Sequence, residues 1–117
     1  MAGNWNGSSR NATVFERNGH TILKADCQDD HGRLVPSELD LDEHIGDDMR
    51  SNKFSWYQRG FTHDADPGSV RFNFNEGGAH QPILRARFRA NEADINTAEH
   101  ITNNNGRLEF DLPPVGL

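Results

Sequence analysis

Ile22-Leu23-Lys24-Ala25 and Ile83-Leu84-Arg85-Ala86 are near-copies of one another, and this pair of apolar stretches decides the fold of the 117-residue chain. Two further segments of the first half recur in the second half in the same order. Glu38 to Ile45 resembles Asp94 to Ile101, and Lys53 to Trp56 resembles Arg107 to Phe110. Matched blocks in an unchanged order indicate an internal repeat.

The two halves are too small to fold separately. Each has fewer than about 60 residues in a chain that is only 33% hydrophobic, so one half buries too little apolar surface to offset its conformational entropy. We therefore predict one domain with a shared core, in which Trp5 and Phe61 open the two halves. Repeat one is placed at about 4–56, the junction at 57–60, repeat two at about 61–112 and a tail at 113–117.

Turn and periodicity signals predict an all-β fold. Asn18-Gly19 and Asn105-Gly106 each lie between apolar segments and are typical of type I′ hairpin turns, because Asn and Gly tolerate positive φ. The segments 71–75, 83–88 and 107–111 alternate apolar and polar residues at the period of a half-buried strand. Only 41–45 and 97–101 look helical, and each is long enough for one short turn.

Charge and cysteine content exclude several classes of protein. Eighteen acidic and twelve basic residues give a formal charge of −6, which repels phosphate backbones and anionic lipids, so neither nucleic acid nor membrane is expected as a partner. The single cysteine, Cys27, excludes an intramolecular disulfide. The first thirty residues carry no apolar run after a basic start, so we expect a cytoplasmic protein, with non-classical release as the alternative.

The repeated blocks resemble the cyanovirin-N homologue (CVNH) family. That family carries a strand ending in Cys, an I-[DN]-L-x-x-x-I segment and an N-x-x-G-x-[FL]-x-[WFY] hairpin in each repeat. The matching segments are Ile22 to Cys27, Leu39 to Ile45 and Asn52 to Trp56 in the first half, and Ile83 to Phe88, Ile95 to Ile101 and Asn103 to Phe110 in the second. The likeness covers about residues 4–112.

The resemblance implies an elongated pseudo-symmetric fold of triple-stranded sheets, β-hairpins and short 3-10 turns, with strands exchanged between repeats. It also implies a lectin with one glycan site near each end, typically for high-mannose glycans with α1,2-linked mannose. Three of the four family Cys positions fall on Ser9, Ala65 and Phe88, which is similar to fungal, intracellular-type members. The second repeat is also five residues shorter between Phe88 and Asp94.

Position within the repeat gives two candidate sugar sites. The first consists of Asn4, Asn6, Gly7, Ser8, Gln28, Asp29, Asp30, Asn103, Asn104 and Asn105. The second consists of Asp47, Asp48, Asn52, Arg59, Gly60, His63, Asp64, Arg89 and Asn91. Sugar hydroxyls both donate and accept hydrogen bonds, so converging carboxylates and amides suit them. Asp30 and Asn103 are the leading candidates for direct contact.

Other functions stay open at this point. A small glycosidase needs two carboxylates across a cleft, and an interaction module of the same fold needs no sugar site. No cofactor is expected. Asp26 to Gly32 lacks the residue spacing of an EF-hand, so no metal is expected either. His44 and His100 recur at equivalent positions, which favours a structural role over catalysis. A monomer is expected, with a domain-swapped dimer as the alternative.

Overall fold

The computed structural model describes residues 3–111 of the chain, so the tail predicted at 113–117 lies outside the described residues. The described part holds ten strands: β1 Ser9–Arg17, β2 His20–Gln28, β3 Leu34–Asp40, β4 Ile45–Asp48, β5 Lys53–Trp56, β6 Arg71–Glu76, β7 Gln81–Phe88, β8 Asn91–Asn96, β9 Ile101–Asn104 and β10 Arg107–Phe110. Three 3-10 turns cover Trp5–Ser8, Leu41–Glu43 and Thr97–Glu99, and one short helix, α1, covers Phe61–Asp64. None of these helices is long and apolar enough to cross a membrane.

The strands form two three-stranded antiparallel sheets and two hairpins. One sheet has the order β1-β2-β3 and the other β6-β7-β8, while β4 pairs with β5 and β9 with β10. The repeated apolar stretches found in the sequence are the central strands, β2 and β7. Each repeat therefore supplies one sheet followed by one hairpin, as the matched blocks predict.

Each hairpin packs against the sheet of the other repeat. The β9–β10 hairpin lies on β3, where the Leu108 N–H donates to Ser37 Oγ at 3.0 Å, and the β4–β5 hairpin lies on β8. The chain entry to each repeat also crosses over, since Asn4 N–H donates to the Ala98 carbonyl and Gly60 N–H to the Asp42 carbonyl. This exchange confirms the predicted pseudo-symmetric all-β fold.

One core lies between the two repeats. Leu23, Ala25 and Cys27 alternate on β2, and their counterparts Leu84, Ala86 and Phe88 alternate on β7. Trp5 and Phe61, which open the two repeats, are both fully buried in the same cluster. Because burial of apolar area is the main stabilising term, neither half retains its core without the other.

A second group of aromatic side chains marks the approximate twofold axis. His44 stacks on Phe110 of the other repeat with ring centres 4.2 Å apart, and His100 meets Trp56 edge to face at 4.9 Å. These two pairs are equivalent by the repeat. Trp56 and Phe110 are partly buried and pack against the core.

Left-handed backbone positions explain the turns. Asn18-Gly19 and Asn105-Gly106 both have positive φ, which confirms the two type I′ turns. The β7–β8 turn was not predicted, because it uses Arg89 and Ala90 at φ 53° and 67° in place of Asn and Gly.

Candidate functional site

The first candidate site is built around the side-chain amide of Asn103. Its Nδ2 donates to Ser8 Oγ at 2.8 Å and to the Gln28 carbonyl at 2.9 Å, and its Oδ1 accepts from Gly106 N–H at 2.9 Å. Asn103 lies near the end of β9, Gln28 ends β2, and Ser8 ends the first 3-10 turn. Three segments from both ends of the chain therefore meet at one point.

The β2–β3 loop is held in shape by Asp29. Its carboxylate accepts from the backbone N–H groups of His31 and Arg33 at 2.9 Å and from Arg33 Nε at 3.0 Å. These bonds, of which the backbone bond from Arg33 is the strongest influence, lower the pKa of Asp29 below its usual value. The Asp29 side chain is thus committed to its own loop, and it positions Asp30.

The adjacent residue, Asp30, reaches the opposite hairpin. Its backbone N–H donates to Asn105 Oδ1 at 2.8 Å, and its side chain is exposed. Asn105 and Gly106 form the β9–β10 turn, and Gly106 has a φ of +88°. A Cβ on Gly106 would lie 3.2 Å from Val35, so the turn requires glycine both for its backbone angle and for this close approach.

A cavity of about 200 Å³ opens beside this network. Ser8, Gln28 and Gly7, all predicted for the first site, line it. Arg10, Gly32 and Leu34 also line it, together with Ser9, and none of these was predicted. The sequence could have indicated Gly32 and Leu34 as lining residues, because they lie at the far end of the loop that begins at Gln28.

Three predicted residues of the first site face elsewhere. Asn4 is exposed and its backbone bonds to Ala98, while the Asn6 amide donates to the His80 carbonyl at 3.4 Å and the Asn104 amide to Glu109 at 3.0 Å. The structure brings together Gly7, Ser8 and Gln28 with Asp30, Asn103 and Asn105, with Asp29 behind them. Sugar contact by each of these residues stays a prediction.

The second candidate site replaces the amide network with two carboxyl groups. Asp47 occupies the repeat position of Asn103 and Asp64 that of Ser8, each 56 residues away from its counterpart. Partial burial, a hydrogen bond with Asp64 and the negative charge of Asp64 raise the pKa of Asp47 to about 6, although the Arg89 charge acts in the opposite direction. The charge of Asp64 therefore acts on Asp47 at the position where the first site has an uncharged amide.

The remaining predicted residues of the second site mostly support its loops. Asp48 accepts from the Arg50 N–H, the Asn91 amide donates to the Arg89 carbonyl, and the Gly60 N–H binds the Asp42 carbonyl. Arg89, in the β7–β8 turn, donates to the Met49 carbonyl in the β4–β5 turn at 3.4 Å. Arg59 and His63 are exposed, and Asn52 takes a left-handed conformation at the end of the β4–β5 turn.

One group of side chains has the composition of a metal site. His20, Asp40 and Asp42 place their donor atoms close together, but His20 Nδ1 and Asp40 Oδ2 already pair at 2.6 Å. Asp42 is buried and accepts from Thr21 N–H, Thr62 N–H and Thr62 Oγ. These bonds account for the arrangement as a structural link between β2 and α1. A cavity of about 480 Å³ lies beside His20 and Asp40, away from both predicted sites.

The chain matches a known protein family over almost its whole length. The model of the CVNH domain matches residues 5–109. The chain belongs to the CVNH family. The cyanovirin-N homologue of Neurospora crassa is 33% identical over 107 residues, which cover 87% of this chain and 93% of that protein. The homologue of Tuber borchii is 36% identical over 109 residues, covering 88% and 94%.

Solved CVNH structures share the fold. A designed cyanovirin-N homologue lectin superposes with a TM-score of 0.77 at 40% identity, covering 95% of this chain and all of that one. The homologue of Gibberella zeae gives 0.76 at 36% identity, covering 93% and 98%. Microvirin in complex with mannobiose gives 0.65 at 22% identity, covering 92% and 98%, and this more distant likeness shows the fold alone.

Proposed function

We propose that this CVNH protein is a lectin that binds mannose-type oligosaccharides, in particular α1,2-linked mannose, at the first site. The observation that carries the proposal is the convergence of Asn103, Ser8 and Gln28 beside an open polar cavity. Such a cavity suits a single sugar unit that is held mainly by hydrogen bonds. The segments around the cavity are held in place by the hydrogen bonds of Asn103, Asp29 and Asn105.

The network leaves hydrogen-bonding capacity for sugar hydroxyls. Ser8 Oγ accepts from Asn103, so its own proton is free to be donated, and Asn103 Oδ1 keeps one lone pair. The exposed carboxylate of Asp30 adds a charged acceptor at the rim. Adjacent donors and acceptors of this kind match vicinal hydroxyls on a pyranose.

Relatives support a sugar ligand and leave its identity to experiment. The designed homologue at 40% identity is a lectin, microvirin forms a complex with mannobiose, and a more distant CVNH variant forms one with (N-GlcNAc)4. We propose mannose for this chain because the resemblance to the CVNH family implies high-mannose glycans, and the first site offers a compact set of groups that can bind their hydroxyls. A small wet site of this type binds weakly, so two sites would act through avidity on branched glycans.

We further propose that the protein acts by binding and not by catalysis. The carboxyl group of Asp64 is close enough to that of Asp47 to raise its pKa by hydrogen bonding and by charge. Glycosidases instead hold their two carboxyl groups about 5–9.5 Å apart, so that the glycosidic bond fits between them. At the first site, the Asp29 carboxylate accepts hydrogen bonds from its own loop. Among the described residues of that site, Asp30 therefore has no second free carboxylate with which to act.

Titration by NMR with α1,2-mannobiose, N,N′-diacetylchitobiose and a glucose disaccharide tests the proposal. We expect reversible shifts of the amides of Ser8, Gln28, Asp30 and Asn105 with mannobiose and weaker ones with the other sugars. Shifts confined to the chitobiose would keep the lectin and reject mannose. Unchanged spectra with all three would favour an interaction module, and new reducing ends would show a glycosidase.

A further inference from the structure

The outer face of the β1-β2-β3 sheet carries the cavity of about 480 Å³ that lies beside His20. This volume is within the range of about 300–1,000 Å³ that is usual for ligand sites, and it is larger than the 200 Å³ cavity at the first site. The residues that line it are Arg17, Asn18, His20, Ile22, Glu38 and Asp40. None of them belongs to either predicted sugar site.

We propose that this cavity is a third sugar site, which holds one neutral pyranose unit of a mannose-type glycan. The inference rests on the proposed lectin function and adds a site to it. Alignment of the repeats does not indicate this site, because all but one of its lining residues lie on strands and not in the loops of the two predicted sites.

Two ion pairs hold the polar side chains of the cavity in place. Arg17 donates to Glu38 through both terminal nitrogens, at 3.0 and 3.3 Å, and its guanidinium carbon lies 5.1 Å from the centre of the Phe15 ring. His20 Nδ1 pairs with Asp40 Oδ2 at 2.6 Å. Both pairs connect the β1–β2 hairpin to β3. Side chains that are ordered before binding lose less entropy when a ligand binds.

The same side chains keep hydrogen-bonding capacity for a ligand. A carboxylate offers about four lone pairs, and Glu38 and Asp40 each use two of them in the bonds of the described residues. The Arg17 guanidinium donates two of its N–H groups to Glu38 and keeps the others. The Asn18 amide, which both donates and accepts, lies at the turn beside them. The cavity therefore offers donors and acceptors side by side, as sugar hydroxyls require.

Ile22 gives the cavity an apolar floor. It lies on the central strand, paired with Phe15 on β1 and Asp40 on β3, and its exposed fraction is 4%. A pyranose ring has an apolar C–H face and a rim of hydroxyl groups. An apolar floor within a polar rim therefore suits both kinds of surface of the ring.

The charge of the cavity favours a neutral sugar over an acidic one. Arg17 balances the charge of Glu38, while Asp40 and the buried Asp42 nearby add negative charge. A sugar that carries a carboxylate or a phosphate group would be repelled by this excess.

The equivalent face of the second sheet carries a cavity of different character. Ile83, the repeat counterpart of Ile22, lines a smaller cavity of about 280 Å³ together with Arg71, Phe72, Asn73 and Arg85. Among the described residues that line it there is no carboxylate. We therefore place the additional sugar site on the first sheet alone.

The proposed site and the first site lie at opposite ends of β2. His20 begins this strand and Gln28 ends it, and eight residue steps along a strand span about 26 Å. One disaccharide does not reach both sites, so each binds it independently. A large branched glycan that reaches both would gain avidity.

An NMR titration of the whole chain with α1,2-mannobiose is the direct test. Amides of Asn18, Gly19 and Glu38 report the cavity, and those of Asp30 and Asn105 report the first site. We expect both groups to shift along separate binding curves. Glucuronic acid, the negatively charged probe, should leave the cavity amides unchanged.

Two variants remove polar groups from the cavity without touching the first site. Asn18→Gly keeps the turn, because glycine tolerates the φ of 53° at this position, and Glu38→Ala removes the acceptor that also holds Arg17. We expect each to lower the cavity affinity for mannobiose about tenfold and to change the first-site affinity less than about twofold. Glu16→Ala removes an exposed carboxylate of the same hairpin outside the cavity, and this matched control should bind like the parent.

The outcomes separate this site from the lectin function as a whole. Cavity amides that stay unchanged while the first-site amides shift would overturn the third site and leave the lectin function in place. A cavity affinity that is the same in the parent, Asn18→Gly and Glu38→Ala would also overturn it. Should Glu38→Ala fail to fold, Asn18→Gly decides alone. Absence of shifts at every site would reject the lectin function together with the third site.

Discussion

Asn103 Nδ2 lies 2.8 Å from Ser8 Oγ although 95 residues separate the two in the chain. The bond ties the last hairpin to the first 3-10 turn and places the Ser8 hydroxyl beside the Gln28 carbonyl, which the same amide contacts. One amide group thus links three segments and forms one side of the candidate sugar site.

Removal of this amide should reduce both binding and stability. Asn103→Ala removes bonds to Ser8, Gln28 and Gly106, so we expect a loss of about 1–3 kcal/mol in binding free energy and about 1–2 kcal/mol in stability. Calorimetric titration with mannobiose and urea unfolding measure the two effects. Arg107→Ala, an exposed change in the same hairpin, is the control. Parent-like affinity in Asn103→Ala would mean that the first site is misplaced.

Asp30 should affect binding without affecting the fold. Its side chain is exposed, and the bond it makes to Asn105 uses its backbone N–H, which Asp30→Ala keeps. We expect affinity for mannobiose to fall by about 1–3 kcal/mol while the urea midpoint stays constant. A lower midpoint together with unchanged affinity would give Asp30 a structural role instead.

Asp42 should be a main determinant of stability. Its buried carboxylate accepts three hydrogen bonds from Thr21 and Thr62, and so it joins β2 of the first repeat to α1 of the second. Asp42→Ala leaves the buried N–H of Thr21 and the partly buried N–H of Thr62 without a partner, and we expect a loss of about 3 kcal/mol in the free energy of unfolding. Glu43→Ala, at the exposed neighbouring position, should change stability by less than about 0.5 kcal/mol.

His44 should make the fold less stable in acid. Burial against Phe110 lowers the pKa of His44 below its usual 6.5, so the folded state favours the neutral ring. The stability that this provides is present above about pH 6.5 and is lost as the pH falls, because the unfolded state takes up the proton first. His44→Phe keeps the stacking area and should show a smaller loss between pH 7 and 5 in urea unfolding. The raised pKa values of His20 and Asp47 favour the folded state in acid, which is opposite to the effect of His44. Both residues are present in the parent and in His44→Phe, so they do not account for a difference between the two. An equal loss in both proteins would exclude His44 as the cause.

A disulfide should form in the first repeat after one substitution. Ser9 and Cys27 are directly paired on β1 and β2, both are buried, and Ser9 Oγ lies 3.4 Å from Cys27 Sγ. In Ser9→Cys under oxidising conditions, closing a loop of about 18 residues should add about 3 kcal/mol to the stability. Urea unfolding with and without reductant, together with a free-thiol assay, measures this. Free thiols that persist after oxidation would contradict the expected geometry.

The equivalent change in the second repeat should fail. There Phe88 fills the core and packs edge to face on Phe54 with ring centres 5.2 Å apart. The double variant Ala65→Cys, Phe88→Cys therefore leaves a cavity, which should cost about 3–5 kcal/mol and cancel the gain from a disulfide.

The architecture was predictable because the repeat itself carries it. The near-copies in β2 and β7 and the Asn-Gly pairs at two hairpin turns all predict the same arrangement of strands. The β7–β8 turn escaped prediction because Arg89 and Ala90 take left-handed angles only under the constraint of the strands around them. Helix α1 escaped as well, because four residues are too few to show a helical period.

The candidate sites were predictable only in outline. Alignment of the repeats placed Ser8 and Asn103 in one group, but it could not distinguish them from Asn104 and Asn6, whose amides turn to other partners. That distinction depends on the direction of each side chain, which spacing along the chain does not report. The influence of Asp64 on the pKa of Asp47 also depends on side-chain direction.

The crossing of each hairpin onto the opposite sheet has a consequence for how the protein can change over time. A dimer of identical single-repeat chains could form the same fold, but every substitution in the repeat would then appear at both ends of the dimer. Fusion of the two copies removes that restriction, so an amide and a hydroxyl persist at one end while two acids occupy the other. The shared interior keeps one shape, and each tip is free to acquire its own chemistry.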